Sequence, residues 1–509
     1  MIENRDVKKD LEQLDSILKE QGISRRDAIK MLGLGGAAMM VGSTDAEAAT
    51  LAQASSAKGK IVIVGGGLAG MSTAARLTNN MSNPDITVIE PEATSVSYQP
   101  GQTLIGAGLW TKSDITYNRD EYVPAGTKLI KEAAVEFDPD AKVVVTASGK
   151  KVSYDVLIIA AGLKLDYGRI KGLEEAGEVY SSGDTSALVK VLQSKGVSSI
   201  YTADAAVQCA KDIDGFIAKA KSGKKVKGVF THPNTPIKCG GAPKKIMYLT
   251  NSKLNEAGKD ARANADLHFY PNGGKMFGIK AYHEAIVKQF EARDMKWSYA
   301  HNLVEVKDNG VAVFDHHSKV KGAWDADLEE YAMVTKHDFV EVPFDFMHIT
   351  PPMKAPDEIG KSKLGSAKGF IPVKKKMGKV AGKDVWAGSS LQHVKYDNVF
   401  ALGDIVGTPM GKTGGSARKE YKTVTNNVIN FLEGKAMEHS YEGYTVCPLI
   451  TDIGKIMLAE FNWASAPLGT GNNAALLPLD PTQERYIWWL LKVYLLKPMT
   501  VMGMLSGKA

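Results

Sequence analysis

Three cysteines, Cys209, Cys239 and Cys447, are the only thiols in 509 residues, and none belongs to a Cys-x-x-Cys or stands near a histidine pair. So few cysteines do not build a disulfide scaffold, and no zinc or iron–sulfur ligand spacing is present, so no metal site is expected. Two possibilities stay open: inert buried thiols, or a redox pair brought together by the fold alone. The second chemical signal is Gly65-x-Gly67-x-x-Gly70, with Glu90 twenty residues after Gly70. That spacing suits a grip on a dinucleotide pyrophosphate. Gly65 permits a tight turn, Gly67 lets the backbone approach the phosphates, and Gly70 lets a helix pack on a strand. The helix N-terminus offers unpaired N–H groups to the phosphates. Glu90 can accept hydrogen bonds from ribose hydroxyls and would repel a 2′-phosphate.

These residues need particular elements to hold them. Residues 61–64 read as a buried strand, 71–77 as a helix and 86–89 as a second strand, a β-α-β unit of about thirty residues. Residues 154–162 form a further strand ending at Gly162. A second region, from about 171 to 349, carries strand patterns at 226–231, 266–270 and 344–349 and helical patterns at 242–254 and 281–292. Residues 396–404 and a helix over 413–431 then return the chain to the first domain. The expected architecture is α/β, with two Rossmann-like dinucleotide-binding domains. The first is discontinuous (58–165 and 350–440), the second spans 166–349, and 441–509 form a C-terminal membrane-interface region.

Composition is that of a folded protein, 44% hydrophobic and 24% charged, with a net charge of +6. The basic residues are dispersed, which suits a membrane surface or an acidic cofactor and not nucleic acid. Residues 1–48 read as an address. Arg25-Arg26 precede a short, weakly apolar stretch and the small residues Ala46-Glu47-Ala48, which resembles a twin-arginine signal for export of folded proteins. Residues 485–505 are the most membrane-like part. Arg485, Lys492, Lys497 and Pro498 interrupt them, so they should lie in the interface with Trp488, Trp489 and Tyr494 at the headgroup boundary.

A nicotinamide-driven enzyme would repeat the glycine motif in the second region. Residues 228–243 stand there instead, with Pro233, Pro236 and Pro243 incompatible with a phosphate cradle, and with Cys239 in that place. The first-domain glycine motif does not separate flavin from nicotinamide by itself. Asn398-Val-Phe-Ala-Leu-Gly-Asp404 resembles the second flavin signature of two-dinucleotide-domain flavoproteins, which implies FAD and sets Asp404 beside its ribityl and pyrophosphate. In the same fold, Gly162 ends a strand beside the pyrophosphate, and the helix from Thr413 aims its N-terminus at the flavin ring.

Residues 231–249 around Cys239, the blocks Tyr98-Gln-Pro-Gly101 and Ile349-Thr-Pro-Pro-Met353, and Gly443-Tyr-Thr-Val-Cys447-Pro resemble sulfide:quinone oxidoreductases, closest to the mitochondrial type. The resemblance runs in order over about residues 58–500. It implies that Cys239 and Cys447 form a redox bridge on one face of the flavin. Hydrosulfide would attack at Cys447, leaving a persulfide there, and Cys239 would leave as the thiolate that faces the flavin. Lys238 and the helix beginning near Ala242 are expected to lower a thiolate pKa, and Lys412 to stabilise charge on a flavin or quinone oxygen. Implied partners are sulfide, a sulfane-sulfur acceptor, a membrane quinone and the membrane surface, with the chain a homo-oligomer on the periplasmic side of the inner membrane. Phe461 and Tyr486 are candidates to sandwich the quinone. Cys209 reads as a bland buried thiol, and His316-His317 as part of a solvated hairpin in an insertion. The rival is the flavoprotein subunit of a flavocytochrome c sulfide dehydrogenase, which would carry a cysteine near Tyr98 and no membrane-seeking tail.

Overall fold

A computed structural model describes residues 54–96, 98, 100–325, 330–464 and 479–508. The address expected over 1–48 lies outside the described residues. The first sheet is built on β1 (Lys60–Val64), followed by helix α1 (Leu68–Asn80), β2 (Asp85–Ile89), β3 (Lys128–Ile130) and β4 (Val156–Ile159). They pair in parallel in the order β4-β1-β2-β3. Ile61, Val62, Ile63 and the whole of β4 are buried, as expected of central strands covered on both faces.

The second sheet holds β5 (Val226–His232), β6 (Ala265–Pro271), β7 (Lys296–Trp297) and β8 (Phe346–His348), all parallel, with helix α2 (Ala242–Ala257) following β5. Strand β9 (Val399–Ala401) then pairs in parallel with β4, so the first sheet takes strands from both sides of the second. The doubly wound α/β architecture expected from the sequence is the one observed. Helix α3 (Gly414–Leu432) packs on α1, and the chain continues into the antiparallel pair β10 (Thr445–Asp452) and β11 (Lys455–Phe461).

The stretch read as an insertion is a long hairpin, Val311–Asp325 against Glu330–Pro343. His316 stacks on His301 at 4.6 Å and His337 meets Asp315 at 2.8 Å. No metal-ligating cluster occurs among the described residues. Cys209 lies on the helix Ala203–Lys221, fully buried in the second core.

The C-terminal segment departs from expectation. Trp488 and Trp489 are only 4% and 8% exposed, packed with Leu104, Leu249, Ile450 and Leu458 instead of at a headgroup boundary. An apolar surface of the protein's own receives them, an outcome that amphipathic sequence cannot distinguish from a bilayer. Tyr494 and Met502 remain exposed, and no described helix is long and apolar enough to cross a membrane.

Candidate active site

The turn between β1 and α1 forms because Gly65 takes φ 101°, a conformation that a side chain disfavours. Gly70 lies so close to this turn that a Cβ would meet the Gly65 carbonyl oxygen at 1.9 Å, which keeps α1 tight on β1. Gly67 caps the helix without a side-chain hydrogen bond, and a Cβ there would meet nothing within 4 Å. The first N–H groups of α1 therefore face open space, the arrangement that takes a pyrophosphate.

That space is a cavity of about 530 Å³. Gly65, Gly67, Glu90, Gly162, Asp404 and Lys412 line it, so the sequence-predicted binding residues converge; Gly70 sits behind the wall. Glu90 accepts from the Gly66 N–H at 2.8 Å. Arg119, only 2% exposed, stands 3.7 Å from Glu90, and its guanidinium donates to the Gly66, Glu92 (2.7 Å) and Thr94 (3.1 Å) carbonyls. Nothing in the sequence singled out Arg119. It locks the loop that presents Glu90.

Asp404 follows β9 and is half-buried. Burial raises its carboxyl, against the pull of Lys238 and Lys412. Lys412 does not extend a free charge into the cavity. Its ammonium donates to the Asp404 and Val406 carbonyls (2.6 and 2.8 Å), lies 4.4 Å from the Phe370 ring, and is pushed down to about 8 by burial. Glu420 on α3 accepts from the Gly403 N–H at 2.6 Å, and burial raises it to about 8.

At the other end lie the thiols. Cys239, in the loop between β5 and α2, lines the cavity with a left-handed φ of 52°. Such strain in a non-glycine residue costs about 1–3 kcal/mol and is characteristic of functional loops. Its N–H donates to the Lys412 carbonyl at 2.9 Å, and its carbonyl accepts from Ala242 at 2.8 Å, which starts α2. Cys447 sits within β10 opposite Ala459 and is 5% exposed. The two come together, both as free thiols. A Cβ on Gly241 would meet the Cys447 sulfur at 2.6 Å, so glycine lets the Cys239 loop close against β10.

The cation hydrogen-bonded at this pair is Lys245; the expected Lys238 acts on Cys239 by charge alone. Lys245 Nζ lies 3.5 Å from Cys239 Sγ, and Cys447 also acts on its charge. Burial disfavours its charge, but the two sulfurs outweigh that and raise it above the ordinary lysine value. Burial pushes the Cys447 thiol up, with Lys245 the main opposing influence. Lys238 instead donates to Ser181 Oγ, and burial lowers it to about 8. Lys244 and Lys492 complete a buried cationic shell, lowered by burial to about 8 and about 7. Lys492, expected at a membrane interface, is fully buried and donates to the Pro100 carbonyl at 3.3 Å.

A ligand that fills this site needs a pyrophosphate for the α1 terminus, a ribose diol for Glu90 and a reactive ring able to reach Cys239. A redox dinucleotide meets all three demands. The cavity also has an apolar wall from Leu458, Leu491, Leu496, Met499 and Met504. Tyr486 and Phe461 do not line it; Phe461 packs edge-on to Phe277 at 5.5 Å.

Known proteins agree with this geometry. Residues 59–207 match the pyridine nucleotide-disulphide oxidoreductase family model. The mitochondrial sulfide:quinone oxidoreductase of Dictyostelium discoideum is 34% identical over 452 residues, covering 88% of this chain and 86% of that protein. Its counterpart from Mus musculus is 32% identical, covering 85% and 83%. Among solved structures, the sulfide:quinone oxidoreductase of Aquifex aeolicus superposes with a TM-score of 0.67 at 19% identity, covering 88% of this chain and 92% of that one, which shows the fold. At such identity over nearly the whole length, the chain belongs to the sulfide:quinone oxidoreductase family and is an FAD-dependent oxidoreductase.

Proposed function

We propose that Cys239 and Cys447 are the redox pair through which this enzyme oxidises sulfide and sends the electrons to a membrane quinone. The observation that carries this reading is one buried ammonium, Lys245, 3.5 Å from Cys239 Sγ and within the electrostatic reach of both sulfurs, beside the dinucleotide cavity. In the oxidised enzyme the two sulfurs are joined. Hydrosulfide attacks Cys447 Sγ, the S–S bond breaks, and Cys447 becomes a persulfide while Cys239 leaves as a thiolate. Lys245 offsets the charge of that thiolate at the moment it forms. A thiolate-class acceptor then takes the outer sulfur, leaving Cys447 as a thiolate. Rejoining the two sulfurs releases two electrons. Bound FAD supplies the two-electron acceptor that connects the pair to the quinone.

Cys239 suits the flavin-facing role because it lines the cavity, whereas Cys447 does not. The apolar wall from Leu458 and the C-terminal segment suits a quinone ring and the start of its tail. The exposed Tyr494 and Met502 support contact with a membrane surface, and Arg25-Arg26 support a periplasmic location. Anaerobic titration with sulfide tests the reading. Flavin absorbance should bleach, recover with a short-chain quinone, and fail to bleach in Cys239→Ser and in Cys447→Ser with FAD still bound. Bleaching by NADH, or recovery only with cytochrome c, overturns it.

A further inference from the structure

We infer that the Tyr201 hydroxyl is a neutral hydrogen-bond donor to the Cys239 thiolate, a second support beside Lys245 once that sulfur carries charge. Tyr201 is 2% exposed and packs in the same core as Cys447. Its backbone is held on both sides. Ser198 pairs with His348 at the end of β8, the Tyr201 N–H donates to Ser199 Oγ at 3.4 Å, and Thr202 caps the helix Ala203–Lys221. The Gln102 side-chain amide donates to the Tyr201 carbonyl at 3.4 Å. The hydroxyl, by contrast, is buried and bonded to no group among the described residues. Thr350 acts on it, yet the Thr350 hydroxyl is itself buried without a hydrogen bond.

Other tyrosines of this core show what a buried phenol ordinarily does. Tyr98 donates to the Lys492 carbonyl at 3.0 Å, Tyr167 to Ser199 Oγ at 2.7 Å, Tyr248 to Gln289 at 2.7 Å and Tyr282 to the Glu460 carbonyl at 2.7 Å. An unsatisfied buried hydroxyl is destabilising, and phenylalanine would fill the same space without it. A partner that arises in another state of the enzyme offsets that cost. Cys239 is such a partner, since of the ionisable groups acting on Tyr201 it acts most strongly, ahead of Tyr167 and Cys447. A thiol is a weak acceptor and a thiolate a strong one, so the bond belongs to the enzyme with its bridge open. Neutrality suits the place. Lys238 ahead of α2, Lys244 and Lys245 on α2, and Lys492 from the C-terminal segment already face the sulfurs. A further buried ammonium would repel them, whereas a phenol adds a dipole and no net charge. Burial, then Cys239, holds the Tyr201 phenol well above the usual tyrosine value, so its proton stays on oxygen and the hydroxyl acts as donor. The inference rests on the reading of Cys239 as the sulfur that leaves as thiolate.

Reduced holoenzyme, wild type and Tyr201→Phe, is trapped with iodoacetamide from pH 5 to 10, and each cysteine peptide is quantified separately. Loss of a hydrogen bond to a charged group should raise the apparent pKa of Cys239 by about 1 unit, which lowers its thiolate fraction about 10-fold at a pH below both values. The oxidised variant, with its sulfurs joined and no thiolate to serve, should melt no lower than oxidised wild type. A Cys239 profile within about 0.3 unit of wild type overturns the proposal, and is the result for a hydroxyl that serves packing or a bound water. A shift confined to Cys447 overturns the assignment to Cys239. An oxidised variant that melts well below wild type shows a hydroxyl already bonded in the resting enzyme, which also overturns it. Alkylation uses neither sulfide nor quinone, so bleaching of the wild-type flavin by sulfide, measured alongside, reports separately on the proposed function.

Discussion

Replacing Lys245 by methionine removes a cation that hydrogen-bonds Cys239 and acts on both sulfurs, while nearly conserving the buried volume. At 3.5 Å from Cys239 Sγ, a full charge pair in an effective dielectric of about 20 is worth roughly 4–5 kcal/mol. At about 1.4 kcal/mol per unit, that limits the effect to about 3 pKa units. Lys244 and Lys492 stay in place and take over part of the charge balance, so the apparent pKa of the reduced pair should rise by about 2 units. The thiolate fraction at a fixed pH below both values then falls about 100-fold. A more basic thiolate is also a better nucleophile, which returns nearly half of the loss on a logarithmic scale. The net expectation is alkylation about 10-fold slower. The assay is iodoacetamide trapping of the reduced enzyme from pH 5 to 10, with both cysteine peptides quantified by mass spectrometry. Lys245→Arg should restore most of the reactivity. A Lys245→Met profile that overlays wild type within about 0.3 unit, with FAD content intact, would refute the assignment of Lys245 as the thiolate's counter-charge.

Two further outcomes follow from buried charges. Arg119→Met strips the Gly66, Glu92 and Thr94 carbonyls of a common donor and leaves Glu90 without its cation, which should cost about 3–5 kcal/mol. FAD release, followed by its fluorescence on heating, should then precede global unfolding, and co-melting at the wild-type temperature would contradict the role given to this arginine. Glu420 binds its proton more tightly in the folded state, with a value of about 8 against an ordinary 4.5. Its contribution is therefore complete below about pH 4.5 and lost as pH rises through 8. Glu420→Gln should flatten the decline of urea midpoints between pH 5 and 8; an unchanged slope would exclude Glu420 as its source.

What could be read in advance divides along physical lines. The glycine turn, Glu90 and the strands on either side were legible because a pyrophosphate imposes a fixed spacing and central parallel strands read as unbroken apolar runs. The return of β9 to the first sheet was legible from its own flavin-like signature. Lys245 was not. Residues 238, 244 and 245 are all lysines, and which of them meets Cys239 depends on where α2 begins. One residue of error in that start turns a side chain by about 100°. Arg119 was hidden for a different reason, since it lies in a single 3-10 turn, Arg119–Tyr122, without periodicity. Trp488 and Trp489 were misplaced because an apolar helix face is the same signal whether lipid or protein covers it.

The two sulfurs are mounted differently, and the proposed bridge would join a strand to a loop. Cys447 is held in mid-strand, with β11 fixing its backbone on one side and α2 packed across it. Cys239 rides on a loop whose left-handed backbone is pinned at its amide and its carbonyl. In the proposed cycle the strand would serve as an anvil, and two hydrogen-bonded posts hold the loop against it. The sulfur proposed to carry the incoming atom is the one set in a strand, so an acceptor would meet it at a defined place. Gly241, with no side chain to strike Cys447, is the clearance that lets the two mounts approach each other.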